Sequence, residues 1–486
     1  MRVAQSDFDV LIVGAGLSGI GAAYHVQTHC PTLSYAVLEG RDAIGGTWDL
    51  FRYPGIRSDS DMYTLGYSFR PWTSPKAIAD GPSILAYVRD TAETYGITKH
   101  IAFRQRVERA SWSSEAARWT VEARDPETGA VTRRTCRFLF MCAGYYDYDE
   151  GYTPELPGTE RFRGRIVHPQ KWTDDIEYAG KRVIVIGSGA TAVTLVPALA
   201  ERAAHVTMLQ RSPTYVVSRP ARDRIADWLR ARLPEHAAYG VTRWKNVLLS
   251  MAFYQYCRTF PAHAKKLLVR GARRALGDTV DARTHFTPKY DPWDQRLCLV
   301  PDDDLFAVLR DGRASVVTDH IETFTETGIR LRSGQELAAD LVVTATGLKV
   351  KLMGGTSFEV DGAPFDLTTS VTYKGLMISD LPNFAFAVGY TNASWTLKCD
   401  LASEYVCRLL RYMDERGFRS CVPRQRDPEM KRAPIIDFSS GYVQRALSIL
   451  PKQGDRVPWK LYQNYALDLV LFRYARLADG EMEFAA

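Results

Sequence analysis

Long apolar runs are missing from this chain of 486 residues. No stretch of eighteen consecutive apolar residues occurs, so we expect no membrane-spanning helix. Residues 1–7 also lack the apolar core of a secretion signal. These two absences predict a cytoplasmic protein. The length allows two or three domains with large cores.

Paired cysteines are missing as well. The eight cysteines are scattered, without a Cys-x-x-Cys pair and without the spacing of metal ligands. We therefore expect buried, reduced thiols and no metal site.

A glycine-rich loop near the N-terminus is the clearest feature that is present. An apolar run at residues 10–13 turns at Gly14, Gly16 and Gly19 into a sequence with helical periodicity, and Glu39 follows a second apolar run. Strand, glycine turn and helix in this order bind a pyrophosphate at the helix N-terminus. The acidic residue accepts hydrogen bonds from a ribose. The pattern predicts a site for a dinucleotide without a ribose phosphate, hence FAD or NAD.

A second loop of the same kind follows an apolar run at residues 183–186. Gly187 and Gly189 form the turn, and Ala192 stands where the third glycine would be. Arg211 takes the place that Glu39 has in the first unit, and a guanidinium suits a 2′-phosphate. This site is predicted to bind NADP(H). Further residues expected to contact one of the two nucleotides are Gly46, Thr47, Trp48, Asp59, Ala190, Thr191, Ser212 and Asn392.

Two dinucleotide sites in one chain imply electron transfer from a nicotinamide to a flavin. Disulfide reductases of similar architecture carry a cysteine pair after the first strands. Residues 45–60 contain no cysteine, which excludes that class.

Two longer motifs carry a resemblance to a known family. Between the two loops, Phe162, Gly164, His168 and Trp172 match the pattern Phe-x-Gly-x-x-x-His-x-x-x-Trp, and Thr173 departs from the Pro or Asp that usually follows. A second pattern is matched without a gap by Gly46, Trp48, Tyr53, Pro54, Gly55 and Asp59. In both motifs the chain resembles the Baeyer-Villiger monooxygenases. The resemblance extends from residue 8 to about residue 395.

The resemblance also points to a branch of this family. Pro169 and Trp172 differ from the Ser and Tyr that N- and S-oxygenating relatives usually carry at these positions. Residues 52–61 and 210–215 look most like the actinobacterial branch that includes the thioamide-prodrug-activating monooxygenase.

The resemblance implies an NADPH- and O2-dependent reaction. In this family NADPH reduces FAD, the reduced flavin forms a C4a-peroxide with O2, and the peroxide inserts oxygen into an apolar ketone or aldehyde to give an ester or lactone. Sulfoxidation is an expected side activity. The family's active-site arginine lies in the segment matched by residues 290–298, so we assign it to Arg296. Asp59 is expected to orient this permanent cation, which stabilises a peroxy anion.

Other interpretations remain open at this stage. The enzyme could be an N- or S-oxygenating flavin monooxygenase, which would not need Arg296, or the protein could be a non-catalytic flavin and NADP(H) sensor. Arg296 alone could form a surface salt bridge. We expect His168 to act as a hinge residue between moving domains rather than as an acid or base. Trp395 could line the flavin or pack in the core.

Positive charge is concentrated in one segment. Residues 222–275 contain twelve Lys and Arg against three Asp and Glu, in a helical and aromatic sequence. This insert could cap the substrate pocket and attract NADPH, or it could contact an anionic membrane. No nucleic-acid-binding motif accompanies the charge, so nucleic acid is not an expected partner. The oligomeric state is not predicted.

These patterns predict an α/β fold with two Rossmann-like dinucleotide-binding domains, for FAD and NADP, and an inserted helical subdomain. We place the FAD domain at residues 1–145 and 351–486, the NADP domain at 146–215 and 296–350, and the insertion at 216–295. Within the first domain we expect a helix over 82–95 and a hairpin that joins 119–123 to 131–135. A connector rich in Gly, Pro and Tyr at 145–157 marks the first boundary.

Overall fold

The structure is a computed structural model that describes residues 7–436 and 439–486. Residues 1–6, where we expect no secretion signal, lie outside the described residues. In the described ranges no helix is both long and apolar enough to cross a membrane. The eight cysteines are buried and free, which confirms the prediction of buried thiols.

The first sheet is built around the apolar runs that flank the first glycine loop. Residues 10–13 are buried, as expected for a strand of a parallel sheet that is covered on both faces. Phe384–Phe386 extends this sheet by pairing with the end of Val131–Met141. Among the described residues, the other strands are, in spatial order, Ala363–Phe365, Ser357–Val360, Arg106–Ser113, Arg118–Arg124, Val131–Met141, Asp7–Val13, Tyr35–Leu38 and Ile101–Ala102.

Two local predictions for this part of the chain are confirmed. The predicted helix is Gly81–Thr94, and the Asp80 side chain caps it by accepting a 2.9 Å hydrogen bond from the Ser83 backbone N–H. The predicted hairpin forms between Arg118–Arg124 and Val131–Met141, with Ala123 paired to Thr132.

The second sheet contains the second glycine loop and is parallel throughout. Its apolar strands also lie between covering layers, which explains their continuous apolar sequence. In spatial order its described strands are Ala314–Thr318, His205–Gln210, Arg182–Ile186, Leu341–Thr344 and Arg165–Val167. Leu341–Thr344 lies between Arg182–Ile186 and Arg165–Val167 and pairs with both strands.

The basic segment folds as three helices: Arg224–Arg230, Glu235–Thr259 and Pro261–Leu276. We call Glu235–Thr259 the long helix and Pro261–Leu276 the basic helix. Pro261 is the first residue of the basic helix, a position where the missing N–H of proline costs no hydrogen bond. The prediction of a helical insertion is confirmed.

The connector predicted at 145–157 includes regular structure. It contains the strand Tyr146–Gly151, which pairs antiparallel with Leu348–Val350. The alternation of Tyr and Asp over residues 146–149 is a strand pattern. The two chain segments that cross between the sheets thus satisfy each other's backbone hydrogen bonds.

The remaining helices and strands lie outside the two main sheets. The remaining α-helices of the described residues are Leu17–His29, Thr47–Leu50, Met62–Leu65, Ala190–Leu199, Ala282–His285, Asp304–Arg310, Trp395–Arg416, Gly441–Ala446 and Tyr465–Arg473, and the 3-10 helices are Thr98–His100, Thr159–Arg161, Pro169–Lys171, Leu352–Gly355 and Leu367–Thr369. The remaining strands form small sheets: Ile321–Thr325, Gly328–Leu331 and Glu336–Ala338; Val216–Arg219 with Cys298–Pro301; Thr372–Tyr373 with Met377–Ile378; Ser420–Pro423 with Met482–Ala485; and Ala433–Pro434 with Lys452–Gln453.

The domain boundaries stay a proposal. The return of Ser357–Val360 and Phe384–Phe386 to the first sheet supports the assignment of residues after 350 to the FAD domain. The helix Trp395–Arg416 packs its apolar side chains beside Leu17–His29, which supports the assignment as well.

Gly19 is the glycine of the first loop for which a larger residue is least acceptable. A Cβ atom there would overlap the carbonyl oxygen of Gly14. We expect Gly19→Ala to lower the free energy of unfolding by about 3 kcal/mol, since helix and strand must separate. Thermal unfolding in the presence of excess FAD measures the loss. The control is Gly271→Ala on an open face of the basic helix, where an unchanged or higher melting temperature is expected.

Candidate active site

A cavity of about 650 Å³ extends from the first glycine loop to the helix that follows the second glycine loop. The helix that follows the second loop contributes Ala190 and Thr191 to its wall. Other predicted nucleotide contacts also line it: Gly14, Gly16, Glu39, Gly46, Thr47, Trp48 and Asp59. The structure therefore brings together residues from both predicted nucleotide sites. We call this space the dinucleotide cavity.

Glu39 is a buried carboxylate at one end of the dinucleotide cavity. It accepts a 2.6 Å hydrogen bond from the Ala15 backbone N–H in the glycine loop and a 2.9 Å bond from that of Arg41. Burial raises the pKa of Glu39 above its ordinary value, and the two N–H donors oppose this effect. A buried carboxylate held at the glycine loop fits the role of a ribose acceptor.

The glycines of the loop leave room for a phosphate. Gly14 has a φ of +104°, and a Cβ atom there would lie 2.6 Å from the Cys142 carbonyl oxygen. Gly16 and Gly46 face each other, and a Cβ atom at Gly46 would lie 3.1 Å from the Gly16 Cα. Side chains at these positions would fill the space between the two segments. The buried Glu39 carboxylate fits the ribose of FAD, and the space left by the missing side chains fits its pyrophosphate.

The second glycine loop is more open. Gly187 has a φ of +137°, whereas a Cβ atom at Gly189 would meet no atom within 4 Å. Arg211 and Ser212 lie exposed after the strand His205–Gln210 and do not line the dinucleotide cavity. The Arg211 guanidinium forms no ion pair with another described residue, so it is available to an anionic ligand.

A second, larger cavity of about 940 Å³ lies below the helical insert. The long helix lines it with apolar residues such as Val247, Met251 and Phe253. Trp293 and Leu397 contribute from other parts of the chain. Its size is at the upper end of the range for sites that bind drug-sized molecules. We call it the apolar cavity.

Arg296 and Asp59 lie where the two cavities meet. Both residues line both cavities. Among the described residues, only Ser60 and Leu299 do the same. The guanidinium binds the carboxylate in a bidentate way, with Nε 2.9 Å from Oδ2 and Nη2 3.1 Å from Oδ1. The side chains remain 36% and 30% exposed, so the pair is open to the cavities rather than sealed in the core. Asp59 raises the pKa of Arg296 further above its ordinary value.

Strained and paired residues hold this segment in place. Trp293, three residues before Arg296, has a φ of +72°, which is uncommon for a bulky residue, and its ring packs against Tyr254 of the long helix. Arg57, two residues before Asp59, forms an ion pair with Asp304. These contacts fix both ends of the Arg296–Asp59 pair relative to the cavities.

Aromatic side chains surround the guanidinium on the side of the dinucleotide cavity. The Tyr145 and Tyr146 hydroxyls are 2.6 Å apart, and both residues line the cavity. Tyr145 stacks on Trp395 with 5.1 Å between ring centroids. The Trp395 indole N–H donates a 2.8 Å hydrogen bond to Ser18 in the helix of the first loop. Trp395 thus lies in the cavity wall beside the first loop.

Sequence reasoning gave no role to Tyr145 and Tyr146. The available signal was their position directly after a strand that ends in Cys-Ala-Gly, at the edge of the sheet where ligands bind. Asn392 is placed differently from the other predicted nucleotide contacts. It lines the apolar cavity, where its side-chain N–H donates to the Gln463 carbonyl oxygen at 2.9 Å.

The motif between the two loops is mainly a packing element. Phe162 and Trp172 are buried in the cores of the second sheet. A Cβ atom at Gly164 would lie 2.6 Å from the Asp340 carbonyl oxygen. His168 Nε2 lies 3.1 Å from the Gly347 carbonyl oxygen, and its Nδ1 accepts a 3.2 Å bond from the Gln170 N–H. His168 therefore contacts the segment that crosses between the sheets, a contact that suits a hinge role.

The contacts of His168 predict a pH effect on stability. Burial lowers the pKa of His168, and only a neutral Nδ1 can accept the bond from Gln170. The unfolded chain then binds a proton more readily, so stability is lost as the pH falls below about 6.5. We expect His168→Gln to reduce the change of melting temperature between about pH 5 and 7. The exposed His236→Gln serves as the control and should leave the change unaltered.

Comparison with known protein families agrees with this arrangement. A model of flavin-binding monooxygenase-like proteins matches residues 72–278, and a model of NAD(P)-binding Rossmann-like domains matches residues 12–77. Together with the fold and the two glycine loops, these matches define a protein of the flavin-binding monooxygenase class.

Similar proteins and structures make the family specific. The chain is 56% identical over 478 residues to the FAD-containing monooxygenase EthA of Mycobacterium tuberculosis, a match that covers 98% of this chain and 97% of EthA. The chain therefore belongs to the family of FAD-containing monooxygenases that includes EthA, which confirms the family predicted from the two motifs.

Solved structures share the fold. One is an oxidised steroid monooxygenase bound to NADP, with a TM-score of 0.76, 24% identity and 99% of both chains covered. Another is OTEMO in complex with FAD and NADP, with a TM-score of 0.68, 22% identity and 86% of each chain covered. They confirm the predicted α/β fold with Rossmann-like domains.

Proposed function

We propose that this protein is an FAD-containing, NADPH-dependent monooxygenase that inserts one oxygen atom of O2 into apolar ketones or aldehydes. The products are esters or lactones for ketones, and sulfides are oxidised to sulfoxides as a side activity. The balanced reaction consumes ketone, O2, NADPH and a proton, and it yields ester, water and NADP⁺. The observation that carries the proposal is the Arg296–Asp59 pair at the meeting point of the two cavities.

The two nucleotides are assigned to the two loops. Glu39 and the cradle at Gly14, Gly16 and Gly46 would hold FAD, with the Trp395 wall beside it. Bound there, FAD would supply the hydride-accepting and O2-activating chemistry. Gly187, Gly189 and Ala190 would hold the pyrophosphate of NADPH, and Arg211 its 2′-phosphate.

Arg296 is proposed as the electrostatic catalyst. Its guanidinium keeps a positive charge at every working pH, because Asp59 raises a pKa that is already high. A fixed cation at the cavity junction stabilises negative charge on the reacting oxygen atoms. Asp59 is a positioning residue, since its bidentate contact fixes the plane of the guanidinium.

The apolar cavity is the proposed substrate site. Its lining is largely apolar, with a strained aromatic residue, Trp293, next to the arginine segment. A ketone bound here would place its carbonyl near Arg296 and its apolar substituents against the long helix.

Oxygen-18 labelling tests the proposed reaction. The FAD-loaded protein is incubated with NADPH, a panel of aliphatic and aromatic ketones and labelled O2, and the products are analysed by mass spectrometry. We expect esters or lactones with one labelled oxygen. Consumption of NADPH with only labelled hydrogen peroxide for all ketones would contradict the proposal. Labelled N- or S-oxides without any ester would instead assign the protein to the N- and S-oxygenating relatives.

A further inference from the structure

The long helix exposes a face without charge. Val241, Trp244 and Leu248 lie three and four positions apart, so they share one side of the helix, and they are 50%, 44% and 56% exposed. Ala237 and Ala252 extend the same face and are exposed too. Over these sixteen positions the face measures roughly 22 Å. Apolar helix faces of this length are normally buried in a monomer.

Unpaired positive charge lies on the next helix of the chain. The basic helix directly follows the long helix and exposes Lys266, Arg270, Arg273 and Arg274. No ion pair joins these four side chains to an acidic group in residues 7–436 or 439–486. Exposed apolar side chains, Phe260 and Leu267, accompany them. The charges are thus free to bind an anionic surface.

The mouth of the apolar cavity belongs to the same region. Ile225, Leu249 and Tyr462 line the cavity and are at the same time 55%, 61% and 40% exposed. Leu249 directly follows Leu248 of the apolar face. Exposed Arg222 and Arg224 also line the cavity. The mouth therefore lies beside the long helix and combines apolar side chains with cations.

We infer that the long helix and the basic helix form a docking surface for an anionic lipid bilayer. The uncharged face inserts at the boundary between headgroups and acyl chains, with Trp244 at the depth that tryptophan prefers, and the cations of the basic helix bind lipid phosphates. A protein partner would not explain unpaired cations on the helix that follows an apolar helix face as directly. Docking places the cavity mouth against the lipid, so that apolar substrates enter without crossing water. This last consequence rests on the proposed function, whereas docking itself does not.

Vesicle sedimentation of the full-length, FAD-loaded protein tests the docking. Vesicles of phosphatidylcholine with phosphatidylglycerol should bind the protein, and binding should fall with added salt and with pure phosphatidylcholine. One double variant combines Val241→Gln with Leu248→Gln, and a second combines Arg270→Glu with Arg274→Glu. Each should lower binding about tenfold or more. Matched controls are Val131→Gln, exposed on the first sheet, and Arg332→Glu, exposed near the three-stranded sheet, and both should bind like the wild type.

Other outcomes would overturn the inference. Equal binding by the helix variants and their controls would show that the surface is not the docking site. No binding of the wild type to anionic vesicles would rule docking out. Light scattering identifies a third outcome. If the wild type is a dimer and the Val241→Gln, Leu248→Gln variant is a monomer, a second copy of the chain covers the face. Oxidation of a water-soluble ketone without vesicles should be unchanged in all four variants, and it reports on the proposed function separately.

Discussion

Replacing Arg296 with alanine is expected to lower ketone oxygenation by about 10²–10³-fold, the usual cost of removing one donor that stabilises an oxyanion. Reduction of the flavin by NADPH should change little, because hydride transfer does not need a cation at the entrance of the apolar cavity. The measurements are kcat/KM for ester formation and the rate of flavin bleaching after anaerobic mixing with NADPH.

Two further variants sharpen this result. Arg296→Lys keeps the charge but loses the bidentate contact with Asp59, so an intermediate rate is expected. Arg330→Ala removes a surface arginine that is paired with Glu322, and it should leave both rates unchanged. If Arg296→Ala forms ester at the wild-type rate, the assigned role of Arg296 is wrong.

Replacing Arg211 with alanine is expected to raise the KM for NADPH by about 10- to 100-fold, since a charged hydrogen bond contributes roughly 1.5–3 kcal/mol. The KM for NADH should stay nearly constant, because NADH has no 2′-phosphate. The structural reason is that Arg211 lies exposed at the end of its strand without an acidic partner in the described residues. Steady-state kinetics with both coenzymes measures the difference.

The control for this experiment is Arg313→Ala. Arg313 is also exposed next to a strand of the second sheet, but it forms an ion pair with Asp311. This variant should leave both KM values unchanged. Equal losses for NADPH and NADH with Arg211→Ala would exclude the 2′-phosphate contact and point to a general effect on the fold.

Local sequence patterns were sufficient for most of the fold. The apolar runs before Gly14 and Gly187 became buried parallel strands, because short continuous apolar runs are typical of strands that are covered on both faces of a sheet. The strand Tyr146–Gly151 was missed, since its partner Leu348–Val350 lies about two hundred residues away. A strand held by a distant partner leaves only a weak local signal.

The site was harder to predict than the fold. Arg296 and Asp59 are 237 positions apart, and only the family resemblance suggested their pairing. The existence of two cavities, and the fact that both reach this pair, depends on how the long helix packs against the helix Met62–Leu65. No periodicity in the sequence contains that information. For the same reason Tyr145 and Tyr146 could not be recognised as neighbours of Arg296.

The central claim is that the cation at the junction of the two cavities directs the oxidising equivalents of NADPH to the substrate. The most direct measurement is the ratio of ester to hydrogen peroxide formed per NADPH at saturating ketone, for the wild type and Arg296→Ala. We expect the wild type to form ester nearly equimolar with NADPH, and the variant to form mainly hydrogen peroxide. A variant that still forms ester in the wild-type ratio would contradict the claim.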